Sequence, residues 1–197
     1  TIQCKLDSGS WVNCTSPISY NNLLEGNHTF SAKATDIFDN TGATVYYNWT
    51  IDITDPITNL SSSIGSLTNN QTAVFTFTSN EDNSTFECKL DYSSWADCTS
   101  PKTYTGLSEG YHLFYVRATD EADNTGSSKN HAWTIDITDP IITIDSNPAN
   151  FTNSQTANFT FSSNEQDSTF ECKLDNSSWT SCTSPVSYYN LTDLSLL

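Results

Sequence analysis

Six cysteines are the residues best placed to do covalent chemistry, and they fall in three pairs: Cys4 with Cys14, Cys88 with Cys98, and Cys172 with Cys182. Each pair encloses a K-L-D-x-x-x-W-x-x segment of nine residues. That spacing lets two antiparallel strands bring their Cβ atoms to bonding distance. Closing so short a loop is worth roughly 3 kcal/mol by chain entropy. Zinc is the rival ligand. Two cysteines without a second pair or a nearby histidine make a poor tetrahedral site. Disulfides are therefore the expectation, and with them an oxidising compartment.

Asparagine supplies a second chemistry. N-x-S/T occurs at Asn13, Asn27, Asn48, Asn59, Asn70, Asn83, Asn150, Asn158, Asn176 and Asn190. A chain with 20 Asn and 57 Ser plus Thr yields about six such matches by chance, so position says more than number. Asn13, Asn48 and Asn158 fall on outward strand positions. Asn27, Asn70, Asn83 and Asn176 fall in turns, where N-linked glycans leave a core undisturbed. Catalytic chemistry is poorly supplied. His28 and His112 are copies of one position beside a strand, which suits packing or a hydrogen bond at a corner. His131 aligns with Tyr47 on the core face of a last strand. Carboxylates recur in turns with nothing to form a cleft for glycoside hydrolysis, and no phosphate loop, nucleophile elbow or metalloprotease helix occurs. An enzyme is not expected.

These residues are positioned by a repeat. Cys4, Cys88 and Cys172 stand 84 residues apart, as do Trp11, Trp95 and Trp179. The same offset joins Gly26 to Gly110, Asp36 to Asp120, Trp49 to Trp133 and Pro56 to Pro140. Every readable segment alternates with period two, the strand signature. Ala73, Phe75 and Phe77 share one face of TAVFTFTS, with Val74 on the other. Phe86, Cys88 and Leu90 go together, as do Phe114, Val116 and Ala118, while Tyr115 and Arg117 face out. Turn residues separate the segments at 8–12-residue intervals. The pattern predicts an all-β chain of seven-stranded antiparallel sandwiches with an 84-residue period. The proline after each Asp-Ile-Thr-Asp stiffens a connection and stops a strand, so the expected divisions are 1–54, 55–138 and 139–197. The first unit lacks opening strands and the last lacks closing ones. Either the chain continues beyond both ends or neighbouring subunits supply strands, as in a polymerising fibre. At residues 191–196 the repeat departs, with Leu194 in place of glycine and Leu196 in place of histidine.

The pattern FECKLD…W…CTSP…Y…L…GYHLFYVRATD…NTG…WTIDITDP resembles the immunoglobulin-like or fibronectin-III-like tandem repeats of large bacterial and archaeal surface proteins. The resemblance covers the whole chain apart from residues 194–197. It implies an extracellular stalk, adhesin or filament at the cell surface, whose partners are neighbouring repeats, identical subunits, surface glycans or another cell. In such a topology the B–C turn, the F–G turn and the incoming linker share a pole. That places Asp55, Glu81, Asp82, Asp120 and Asp123 together, and clustered carboxylates suit calcium. Asp and Asn also favour tight turns without any metal. A carbohydrate-binding module is the rival function, through outward Tyr92, Tyr111 and Tyr115. These do not recur, since Tyr111 is Asn27 and Tyr115 is Ser31 in the first copy, so scattered surface tyrosines are the simpler expectation.

The net charge of −16, with seven Lys plus Arg, leaves little to neutralise phosphates, which argues against nucleic acid. It fits a chain kept apart from its neighbours by charge, one that collects cations, or one adapted to salt. No apolar run approaches a membrane span. No signal segment opens the chain, so any signal lies upstream or has been removed.

Overall fold

A computed structural model describes residues 1–192. The expected departure of the repeat at residues 194–197 lies outside them. The described residues form strands and turns without helix, in two compact units, one spanning Thr1–Asp136 and the other beginning at Ile137.

The first unit opens with β1 (Ile2–Leu6), β2 (Val12–Asn13), β3 (Gly26–Ala34) and β4 (Val45–Ile51). They make one antiparallel sheet in the order β2-β1-β3-β4. Cys4 and Ser31 are buried in it, but Tyr47 is 69% exposed and Trp49 only half-buried. An aromatic on a strand reaches full burial only when a second sheet covers its face, and residues 1–51 supply one sheet. Trp49 therefore does not anchor a core as its counterpart does.

Residues 58–135 supply both sheets. The strands are β5 (Thr58–Ser62), β6 (Leu67–Thr68), β7 (Ala73–Ser79), β8 (Thr85–Leu90), β9 (Ala96–Cys98), β10 (Lys102–Tyr104), β11 (Gly110–Thr119) and β12 (Lys129–Ile135). One sheet runs β10-β7-β5 and the other β6-β12-β11-β8-β9. The alternation read from sequence is the burial observed. Ala73, Phe75 and Phe77 are at most 3% exposed, and Phe114, Val116 and Ala118 are fully buried. Phe75 stacks on Phe114 across the gap at 4.0 Å, and Trp133 closes on Phe75 at 5.4 Å. A polar tie crosses the core as well, where the Ala118 N–H donates to buried Thr58 Oγ1 at 3.0 Å.

Eight strand segments build this sandwich. The opening strand breaks between Ser62 and Leu67, so that β5 pairs with β7 in one sheet while β6 runs parallel to β12 in the other. No sequence alternation marks that change of sheet, because residues 63–66 satisfy neither strand pattern. At the entrance Pro56 is buried, and Ile57 exchanges hydrogen bonds with Asn80 in the turn after β7.

The second unit holds β13 (Ile142–Ser146), β14 (Ala157–Ser163), β15 (Phe170–Cys172), β16 (Thr180–Cys182) and β17 (Val186–Tyr188). Its sheets run β13-β14-β17 and β15-β16. Ala157 and Phe161 are buried, and Phe161 meets Phe170 edge-on at 4.9 Å. An open apolar groove of about 210 Å³ remains between Ile142, Ile144, Phe159, Leu174 and Trp179.

Candidate functional site

All three cysteine pairs are disulfides, each with Cα atoms 5.8 Å apart. Cys88 on β8 and Cys98 on β9 sit diagonally, since Cys88 lies opposite Ala96 and Cys98 opposite Phe86. The hairpin turns on an aspartate in the left-handed region, Asp7, Asp91 or Asp175, with φ of 51–53°. A short acidic side chain tolerates that backbone because it finds local hydrogen bonds.

In the first two hairpins the aspartate also bonds across the sheet and defines a histidine corner. Asp91 Oδ1 accepts from the Leu113 N–H at 2.8 Å, and Asp91 Oδ2 lies 2.9 Å from His112 Nδ1. His112 Nε2 faces the Ser108 carbonyl at 2.9 Å. Asp7, Thr29, His28 and the Leu24 carbonyl repeat the arrangement. Both ring nitrogens thus meet acceptors, an environment that favours the doubly protonated imidazolium. Desolvation opposes charge on His112, but the Ser108 and Asp91 bonds outweigh it and hold its pKa above the ordinary value. The Leu24 carbonyl, then Asp7, raise His28 likewise. His131 packs against Phe75 and Trp133 on the core side.

The ten sequon asparagines are all exposed. Two sequons interlock: Thr50 Oγ1 donates to Asn27 Oδ1 at 2.7 Å, and Thr29 Oγ1 donates to Asn48 Oδ1 at 2.8 Å. The Nδ2 atoms, where a glycan would attach, are not used by these bonds.

The acidic pole forms with altered membership. Ligand oxygens of Asp52, Glu81 and Asp120 lie within 4.8 Å of one another. Asp82 lines the rim beside Glu25 and Glu121. Asp55 and Asp123 stay exposed outside the cluster. Asp123 is the left-handed turn residue, with φ 68°. Asp52 belongs instead because the Asn124 amide donates to its backbone carbonyl at 3.1 Å and draws the linker onto the turn. The Asp-Ile-Thr-Asp linker contained this residue, but only the fold selects between its two aspartates. Asp120 also accepts from the Ala122 and Asn124 N–H groups and from the Asn124 amide at 2.8–2.9 Å, so turn chemistry already occupies it. Desolvation, then Asp52 and Asp120, push the Glu81 carboxyl above its ordinary pKa. Packed carboxylates of this kind are the oxygen-donor chemistry that suits a hard divalent cation.

Two arrangements depart from expectation: tyrosines expected to be scattered share a groove, and cations cap the hairpin tryptophans. Tyr92, Tyr111 and Tyr115 are gathered, with Lys89, Asp91 and Leu113, around one groove. On the same outer face, cations cap each hairpin tryptophan: Lys5 and Lys33 over Trp11, Lys89 and Arg117 over Trp95, Lys173 over Trp179, at 4.4–5.4 Å. The repeat offset applied to Lys33 and Arg117 was the available signal, since both stand at one repeat position. Comparison with protein-family models and with curated proteins finds no match. No helix among the described residues is long and apolar enough to cross a membrane.

Proposed function

We propose that the chain is a stretch of a tandem array of immunoglobulin-like β-sandwiches, divided near 54/55 and 138/139, that serves at the cell surface as a stalk, adhesin or filament and not as an enzyme. One observation carries this reading. The same disulfide hairpin, with its left-handed aspartate, returns at Cys4–Cys14, Cys88–Cys98 and Cys172–Cys182. Repetition of one stapled hairpin, with no cleft repeated among the described residues, is what a spacer or adhesive array requires. Disulfides fit a non-cytoplasmic, oxidising compartment, and exposed sequons fit an N-glycosylated coat. A calcium ion held by Asp52, Glu81 and Asp120 would stiffen the linker against its turns.

The test is intact mass of native-source material, before and after deglycosylation and with and without reduction. Excess mass on the sequon asparagines and a gain of six hydrogens for the six cysteines support a glycosylated surface array. Bare mass with free thiols overturns it. The open apolar groove beside β13 and β14 favours a second reading, a fibre subunit completed by a neighbour's strands. Light scattering over a concentration series separates the two, because a fibre subunit grows with concentration.

A further inference from the structure

We propose that the sandwich of residues 58–135 carries a saccharide-binding groove of its own, built from Tyr92, Tyr111 and Tyr115 with Lys89 beside them, and that its ligand is an acidic polysaccharide bearing uronate carboxylates. The site does not depend on whether the chain belongs to an array.

The groove is assembled by register. Tyr111, Leu113 and Tyr115 alternate onto the outer face of β11, and Lys89 of β8 lies directly opposite Tyr115. Tyr92 reaches the same groove from the turn after β8. Tyr92 is 106% exposed and Tyr111 65% exposed, so the core gains nothing from either ring. The volume is about 240 Å³, below the roughly 300–1,000 Å³ of pockets that enclose a drug-sized ligand. A shallow aromatic site of that size suits one or two rings of a longer polymer.

The free chemistry selects the ligand. Asp91 spends both oxygens on His112 and the Leu113 N–H, and Arg117 is paired with Glu87 at 2.7 Å. Lys89 has no ion-pair partner among the described residues. Its ammonium stands 4.5 Å from the Tyr115 ring and 5.0 Å from Trp95. What remains for a ligand is the open rings of Tyr92 and Tyr111, the phenol hydroxyls and an ammonium with no carboxylate partner among the described residues, while the Tyr115 ring is already covered by Lys89 and Trp95. Pyranose C–H faces pack on tyrosine rings, hydroxyls bond to phenols, and a carboxylate meets the ammonium.

The other copies separate scaffold from specialisation. The Lys–Trp pair is present in all three, at Lys5 and Trp11, Lys89 and Trp95, and Lys173 and Trp179. The tyrosines are not. At the corresponding positions the first copy has Ser8, Asn27 and Ser31, yet β1 and β3 pair as β8 and β11 do. The rings are therefore dispensable for folding. Sequons Asn27 and Asn176 stand where the middle copy has Tyr111 and Tyr92. Both asparagines are exposed, so a saccharide has room beside this face.

The experiment is calorimetric titration of the 197-residue chain with tetragalacturonate and with its fully methyl-esterified form. The acid should bind and the ester should bind roughly tenfold more weakly, a difference of about 1.4 kcal/mol. Tyr92→Ala with Tyr111→Ala should weaken the acid by about tenfold or more without lowering Tm. Lys89→Gln should erase the preference for acid over ester. Equal binding of acid and ester overturns the acidic class, and unchanged binding by the tyrosine variant overturns the site. Failure of galacturonate, glucuronate and mannuronate oligomers alike overturns the proposal.

Discussion

The hexapeptide Phe-Glu-Cys-Lys-Leu-Asp occurs twice, at 86–91 and at 170–175, and adopts two different extents of structure. In the first unit it forms most of β8, a strand of six residues, and Cys88 is 4% exposed. In the second unit the strand is three residues long, and Cys172 is only half-buried. The tryptophan that follows behaves likewise, half-buried as Trp95 but 60% exposed as Trp179. The local sequence, the disulfide and the turn aspartate are the same in both. What differs is β11, which pairs with β8 from Thr85 to Leu90 and has no counterpart beside β15 among the described residues. Strand formation here depends on the neighbour that the strand packs against, and intrinsic preference sets only where a strand can begin.

The largest way to break that comparison is to remove the neighbour's main side chain. Phe114→Ala should cost the first unit about 3–5 kcal/mol in urea unfolding, because Phe114 is fully buried against Phe75. Phe161→Ala should cost the second unit about 3 kcal/mol, at the low end of such truncations, since its groove is open. Equal losses would show that a strand in the place of β11 does not matter. Next comes the staple. Replacing either Cys88 and Cys98 or Cys172 and Cys182 with serine removes roughly 3 kcal/mol of loop-closure stabilisation. Hydrogen exchange should separate the pairs, with β15 losing amide protection and β8 keeping it through β11. A smaller effect follows from Arg117→Gln, which removes both the Glu87 ion pair and the contact 4.4 Å above Trp95. It should cost about 0.5–1 kcal/mol, whereas Lys173→Gln over exposed Trp179 should leave unfolding unchanged.

The smallest expected effect is a pH dependence confined to one unit. The folded pKa of His112 is raised above its ordinary 6.5, so its stabilising contribution is complete below that value. It is lost as pH rises through the folded pKa. The first unit's Tm should therefore decline from about pH 6.5 upward, and His112→Gln together with His28→Gln should flatten that decline. The second unit carries no histidine and should not share it. A decline that survives both substitutions would remove the histidine corner from the account.

Alternation and the cysteine pairs were legible because each is a local pattern, the pleat returning every two residues and nine residues spanning one hairpin. The face shared by Ala73, Phe75 and Phe77 needs only the pleat to be read. Membership of the acidic pole was not legible, since Asp52 and Asp55 belong to one linker and only the Asn124 bond to the Asp52 carbonyl chooses between them. The break between β5 and β6 was hidden for a related reason, because nothing in Ser62–Leu67 states which sheet each half will join. Tyr92, Tyr111 and Tyr115 were legible as outward aromatics but not as one groove, because asking what all copies share sets them aside. Tyr92 and Tyr111 are instead the positions at which the middle copy departs from its neighbours.

The parallel contact between β6 and β12 has a mechanical consequence. The chain enters the sandwich through β5, just ahead of β6, and leaves it directly after β12. Tension on the two ends draws these strands past each other along their length. The bonds from Thr134 N–H to the Ser66 carbonyl and from Asp136 N–H to the Thr68 carbonyl, both 2.9 Å, are then loaded together in shear. An antiparallel hairpin pulled at its open end gives way one bond at a time; this pair has to yield at once. The short β6 strand thus acts as a latch on the path of pulling force.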